Sequence, residues 1–211
     1  MTIPDPPAPD ASFALLASPA NFACEVLQAL IQKACVPELI VLPEYPPAAS
    51  EGDGLPNLVS GAEPVRLLQL AQNIEIAYAP AARQAECAIL IEGRGLEYLL
   101  VACWPYLIEP RLIESASRAA LNLHPSLLPK YRGPNPLQQQ LAAEDPRFGT
   151  TLHRLDQRFD HGDIIAQAAL PDFQMPPTRT VLEQYCARLG AELFVDAIGC
   201  FGQWEPVAQT P

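Results

Sequence analysis

Asn122 and His124 stand two residues apart in Leu121-Asn122-Leu123-His124-Pro125-Ser126-Leu127-Leu128-Pro129-Lys130-Tyr131-Arg132-Gly133-Pro134-Asn135-Pro136. The first part of this stretch alternates apolar and polar residues, as the end of a short strand does. The rest is dense in Pro and Gly, which suits a rigid loop and neither a helix nor a ladder strand. Side chains two apart on a strand point to the same face, so an amide and an imidazole project together where the strand ends. Such a pair can handle a carbonyl, with an N–H donor for a developing oxyanion beside a group that moves a proton. Taken singly, each residue has a plainer role, His124 as a structural histidine and Asn122 as a turn residue.

The stretch resembles the signature of the folate-dependent formyltransferases. A second piece of the resemblance follows in the right order, Gly149-Thr150-Thr151-Leu152-His153-Arg154-Leu155-Asp156-Gln157-Arg158-Phe159-Asp160-His161-Gly162-Asp163-Ile164. In the family this segment is a strand, a turn with the catalytic aspartate and another strand, and Asp160 takes the aspartate's place. The resemblance runs from about residue 13 to about residue 202. It implies 10-formyltetrahydrofolate as co-substrate, with no metal. Asn122 and protonated His124 would donate to the oxyanion. Asp160 would favour the imidazolium and take a proton from the attacking amine, directly or through water. Trp104, Tyr106 and Leu107, with Asp156 and Phe159, would border the folate, and Ser126 and Arg132 would contact substrate. Ser126 as a nucleophile lacks the glycine-flanked elbow such a serine needs. His153 and His161 read as solvated or structural.

The elements that must position these residues are legible upstream. Residues 13–18 and 39–42 read as buried apolar strands, 74–78 and 97–103 as two more. Helical spacing marks 20–34, 65–72 and 81–92. Strands alternating with helices predict an α/β fold, a mainly parallel sheet with helices on both faces. The resemblance makes it a Rossmann-like formyltransferase catalytic domain. Ligands of such sheets bind at the carboxyl ends of strands, where Asn122 and His124 lie. Thr180 with Glu183 reads as a capping box opening a last helix over 181–201, with an apolar stripe of Val181, Leu182, Tyr185, Leu189, Leu193 and Ile198. Gly93-Arg94-Gly95 precedes a strand and lacks a third glycine, so it is no dinucleotide fingerprint. The expected organisation is a Pro-rich tail over 1–12, a catalytic domain over 13–203 and a tail over 204–211, with 43–64 a long loop.

At 211 residues the chain can bury one sizeable core. No apolar run is long enough for a membrane span, and the first residues lack the features of a signal peptide, so a cytoplasmic protein is expected. Six cysteines without a Cys-x-x-Cys pair read as reduced and mostly buried. A net charge of −11 disfavours nucleic-acid partners.

Three departures from the family narrow the expected acceptor. After the first strand stands Ser18-Pro19-Ala20-Asn21, which lacks the glycines of a phosphate nest. Between Ala34 and Val65 there is no Lys or Arg, where the tRNA enzymes of the family are basic. The extra domains of the tRNA formyltransferases and of the formyltetrahydrofolate hydrolases have no counterpart in the resemblance. The expectation is formyl transfer to the amine of a small molecule, an amino sugar or sugar nucleotide first. Methionyl-tRNA formylation, formyltetrahydrofolate hydrolysis and a non-catalytic folate-binding relative are the alternatives, and the oligomeric state is left open.

Overall fold

Phe13–Ala17 (β1) is apolar at every position because both faces of the strand are covered. Phe13, Leu15 and Ala17 enter one core layer, and Ala14 and Leu16 the other, as a period of two requires. The computed structural model describes residues 11–43, 63–79, 83–143, 145, 147–173 and 177–210. The loop expected over 43–64 lies, from 44 to 62, outside the described residues.

After β1 come Asn21–Gln32 (α1), Leu39–Pro43 (β2), Glu63–Leu70 (α2), Glu75–Ala79 (β3), Gln84–Arg94 (α3) and Tyr98–Ala102 (β4). Pro110–Ile113 (α4), Ala119–His124 (β5), Pro136–Ala142 (α5), Gly149–Arg154 (β6), Ile164–Ala169 (β7) and Arg179–Gly199 (α6) follow. The seven strands lie in the order β3-β2-β1-β4-β5-β6-β7. β1 to β5 run parallel, and β6 and β7 are antiparallel to their neighbours. The order reverses between β1 and β4, the switch point where α/β sheets open a crevice.

One layer packs α1, α2, α5 and α6 on the sheet; the other packs α3 and α4. The fold is the expected mainly parallel α/β sheet with helices on both faces. Gly95 explains the Gly-Arg-Gly stretch, since it ends α3 in the left-handed conformation (φ 65°), the usual use of glycine at a helix end.

The last helix differs in detail from the expected capping box. Thr178 is its N-cap, and its Oγ1 accepts a hydrogen bond from Val181 N at 3.3 Å. Thr180 lies inside the first turn. Glu183 is drawn elsewhere, accepting from Asn21 Nδ2 at 2.6 Å and Arg179 Nε at 2.8 Å. Of the expected stripe Leu182 and Ile198 are buried, Val181, Leu189 and Leu193 are half-buried and Tyr185 is exposed, while Cys186, Ala187, Ala191 and Phe194 complete the buried face. Small residues bring α6 close to its neighbours, which a stripe chosen for large apolar residues overlooks. Thr178→Ala is expected to lower stability by about 1 kcal/mol, and Thr180→Ala by less. Urea unfolding followed by circular dichroism measures both.

Candidate active site

The face that carries the candidate residues follows from the alternation in β5. Leu121 and Leu123 enter the α1/α6 layer, while Ala120 belongs to the layer of α3 and α4. Asn122 and His124 therefore face the α3/α4 side, just past Ala120, the last buried apolar residue of β5 in that layer. β6 sets His153 opposite Asn122 and Thr151 opposite His124, and opposed residues of an antiparallel pair share a face. The result is a polar patch on one side of the sheet.

His153 is buried (1% exposed) within this patch, so it is not solvated. Its Nδ1 lies 2.8 Å from the carbonyl of Arg154 and its Nε2 3.0 Å from Asn122 Nδ2. Nδ1–H donates to the carbonyl, and Nε2 faces both the Asn122 amide and the Asp160 carboxylate. The alternation Thr151-Leu152-His153 within an otherwise buried strand was a signal for this residue. Its weight shows only when β6 is known to pair with β5.

Asp160 reaches the patch from the connection between β6 and β7, with its backbone left-handed (φ 57°). Its Oδ1 accepts from Asn122 Nδ2 at 3.2 Å and lies 3.4 Å from His124 Nδ1 and 3.5 Å from His153 Nε2. Its Oδ2 accepts from the backbone N–H of Gly133 at 2.8 Å. Burial pushes the Asp160 carboxyl up, but the hydrogen bonds of both histidines, the charge of His124 and the Gly133 amide outweigh it. The carboxyl is held well below the usual carboxylate range. Asp160 is therefore an anion across the working pH range.

His124 is buried, and its Nε2 lies 2.8 Å from the carbonyl of Tyr131. With Asp160 at Nδ1 and that carbonyl at Nε2, the imidazolium form gives both ring nitrogens an acceptor. The loop that offers the carbonyl is itself pinned. Tyr131 Oη donates to Asp145 Oδ2 at 3.0 Å, and Lys130 Nζ lies 3.2 Å from the same oxygen. The Arg147 backbone N–H, with these two groups, overcomes burial and holds the Asp145 carboxyl down at about 2.

Ser126 does not fit a substrate contact. It is fully buried, and its hydroxyl donates to the Lys130 carbonyl at 2.8 Å. Its own carbonyl accepts from Thr151 Oγ1 at 2.7 Å. The residue shapes the loop after β5. Arg132 is also engaged, through Gln209 Oε1 at 2.8 Å and the Thr210 carbonyl at 2.9 Å. Residues 204–210, expected to be a tail, thus pack against the site. Val207 exchanges both backbone hydrogen bonds with Ile164 at the start of β7.

The residues expected to border a cofactor fall into two sets. Trp104, Tyr106 and Leu107 follow β4, the neighbour of β5. Trp104 is nearly buried and meets Tyr106 edge-on at 5.9 Å between ring centroids, while Leu107 is exposed. Asp156 and Phe159 lie in the connection that carries Asp160. Asp156 accepts from the Arg158 backbone N–H at 2.8 Å and Phe159 is exposed. A groove of about 420 Å³ runs between Pro110 and Ile113 of α4 and the loop residues Leu155, Asp156 and Arg158. Asn122, His124 and Asp160 are not among its lining residues. Among the described residues no group of three or more His, Cys, Asp or Glu could hold a metal ion. No described helix is long and apolar enough to cross a membrane.

Comparison with known proteins identifies relatives of the whole domain. The family model described as formyl transferase matches residues 52–198. The methionyl-tRNA formyltransferase of Rickettsia bellii is 30% identical over 168 residues, covering 78% of this chain and 53% of that protein. The methionyl-tRNA formyltransferase of Protochlamydia amoebophila is 26% identical over 189 residues, covering 89% and 57%. The chain spans about half the length of the curated relatives it matches. Two crystal structures of glycinamide ribonucleotide transformylase 1 share the fold. That from Symbiobacterium toebii has a TM-score of 0.68 at 18% identity, covering 89% of this chain and 85% of that one. That from Geobacillus kaustophilus has a TM-score of 0.67 at 22% identity, covering 91% and 99%.

Proposed function

The chain belongs to the formyl transferase family, and we propose that it moves a formyl group from 10-formyltetrahydrofolate to the primary amine of a small acceptor, an amino sugar or sugar nucleotide first. The observation that carries this reading is the meeting of Asn122, His124 and Asp160, with Asp160 Oδ1 3.2 Å from the amide and 3.4 Å from the imidazole. An amide, a cationic ring and an anion so placed fit acyl transfer to an amine.

The acceptor nitrogen adds to the formyl carbon and the carbonyl oxygen gains negative charge. Asn122 would turn one N–H from its partners in the free site toward that oxygen, and the His124 imidazolium would balance the charge. Asp160 keeps the imidazolium in place and accepts the proton the amine must lose, directly or through water. The tetrahedral intermediate then collapses, the bond from the formyl carbon to the folate nitrogen breaks, and that nitrogen takes up the proton that Asp160 accepted, directly or through water. Trp104 supports the folate reading: its nearly buried Nε1–H has no partner among the described residues, and a pterin offers acceptors of matching chemistry. Asp156, Phe159, Tyr106 and Leu107 are proposed to border the same ligand, and Arg132 to contact the acceptor. A cytoplasmic location accords with this co-substrate.

A second reading, methionyl-tRNA as acceptor, is favoured by the curated relatives. Against it stand the net charge of −11 and the segment from Ala34 to Val65, which contains no Lys or Arg. Missing phosphate contacts remove the counterion-release contribution to binding, and carboxylates repel the backbone. The test supplies 10-formyltetrahydrofolate with a panel of amino sugars and sugar nucleotides, or with methionyl-tRNA at about 50 mM salt. Folate absorbance and formylated product are followed. Product from a small amine, with no salt-sensitive tRNA binding, is expected. Efficient formylation of methionyl-tRNA would replace the small acceptor, and folate turnover without any acceptor would mark a hydrolase.

A further inference from the structure

We propose that Gln209 is a positioning residue that holds Asp160 and the loop after β5 in register. Its Nε2 donates to two carbonyls of one turn, Asp160 O at 3.1 Å and Gly162 O at 2.7 Å. Its Oε1 accepts from Arg132 Nε at 3.1 Å and from the terminal nitrogen of the same guanidinium at 2.8 Å. Arg132 adjoins Gly133, whose N–H reaches Asp160 Oδ2, and Tyr131, whose carbonyl takes His124 Nε2. One amide thus closes a ring through Gln209, Arg132, Gly133 and Asp160, joining the loop that orients His124 to the turn that presents Asp160.

The turn needs such a tie. Asp160 is left-handed, and a non-glycine residue keeps that conformation only where its surroundings over-determine it. The ring also requires a group with donors at one end and an acceptor at the other. Glutamate would keep the Arg132 contact, but it would set a carboxylate oxygen against two carbonyls. The segment has other anchors: Val207 pairs with Ile164, Trp204 Nε1 donates to the Ala197 carbonyl at 2.8 Å, and the Arg154 guanidinium lies 5.5 Å from the Trp204 ring centre. Losing the Gln209 side chain therefore leaves the segment docked.

The kinetic part of the proposal rests on the formyl-transfer reading; the structural part does not. The experiment compares Gln209→Ala, Gln209→Met and Gln209→Glu with the exposed control Gln203→Ala in the full chain. Two readouts are taken, steady-state formyl transfer and the amide resonance of Gly133 in ¹⁵N-labelled protein. All three Gln209 variants are expected to lower kcat about 10- to 100-fold, as small misplacements of a reacting group do. KM for 10-formyltetrahydrofolate should stay within about twofold, and the Gly133 resonance should shift. Gln209→Glu should fare no better than Gln209→Ala despite its charge toward Arg132, and Gln203→Ala should match the parent protein. An unmoved Gly133 resonance overturns the proposal whether or not the protein transfers formyl groups. A shifted resonance with unchanged kcat in an active enzyme overturns it as well. Should Gln209→Ala fail to fold, the near-isosteric Gln209→Met decides by the same readouts.

Discussion

Asp160→Ala is expected to lower kcat for formyl transfer about 1000-fold, close to 4 kcal/mol of transition-state stabilisation. The carboxylate meets three side chains of the patch at once, Asn122, His124 and His153. Removing it leaves the His124 ring with the Tyr131 carbonyl but without its anion, and frees the Asn122 amide to rotate. Asn122→Ala and His124→Ala should each cost about 100- to 1000-fold. Any double variant should cost far less than the product, because the residues act as a unit. Single-turnover assays with saturating 10-formyltetrahydrofolate measure all of these; parent-like turnover in all three single variants would remove the residues from the mechanism. A stability signature accompanies the kinetic one. The folded-state pKa of Asp160 is depressed, so its ionisation stabilises the fold fully above about pH 5 and progressively less as the pH falls below the unfolded value near 4. The stability difference between the parent and Asp160→Ala, measured by chemical unfolding, should therefore shrink as the pH falls from about 5 into acid.

What the sequence made legible divides along a physical line. β1, β2 and β4 are covered on both faces, so their apolar runs carry the signal directly, and α1 shows its period. Asn122 and His124 are legible because two residues on one strand share a face whatever the neighbouring strands do. His153 is not, because its place depends on an antiparallel pairing that puts it opposite Asn122. A lone histidine in a strand carries no mark of its partner. The docking of Gln209 is less visible still, since its side chain bonds residues 77 and 49 positions away in the sequence. The cap of α6 failed for a local reason: Thr178 and Thr180 both suit the role, and partners on α1 and within α6 draw Glu183 away from a capping box. Ser126 shows the converse, since a hydroxyl beside a catalytic-looking histidine is engaged by its own loop.

Gly162→Ala is expected to disable the site from two residues away, without touching a group that does chemistry. A Cβ at Gly162 would fall 1.9 Å from the Arg154 carbonyl oxygen and 2.8 Å from its carbon, a collision with backbone that no side-chain rotation relieves. That same carbonyl accepts His153 Nδ1–H at 2.8 Å, and the Arg154 N–H bonds the Asp163 carbonyl at 2.9 Å. Relief must therefore move the end of β6, carrying His153, or the turn, carrying Asp160. Either shift strains the contacts between the polar patch and the carboxylate. The turn is also fastened by Gln209 at the Gly162 carbonyl, so it has little freedom to swing outward. Overpacking of this kind costs about 1–3 kcal/mol, and a displacement of about 1 Å costs about 100-fold in rate. The expected outcome is a folded protein with a lower melting temperature and at least a 100-fold loss of kcat. Gly93→Ala, whose added methyl would meet no described atom within 4 Å, should keep full activity and stability. Thermal melts with formyl-transfer assays on both variants check this, and a fully active Gly162→Ala would mean that the turn is not what places Asp160.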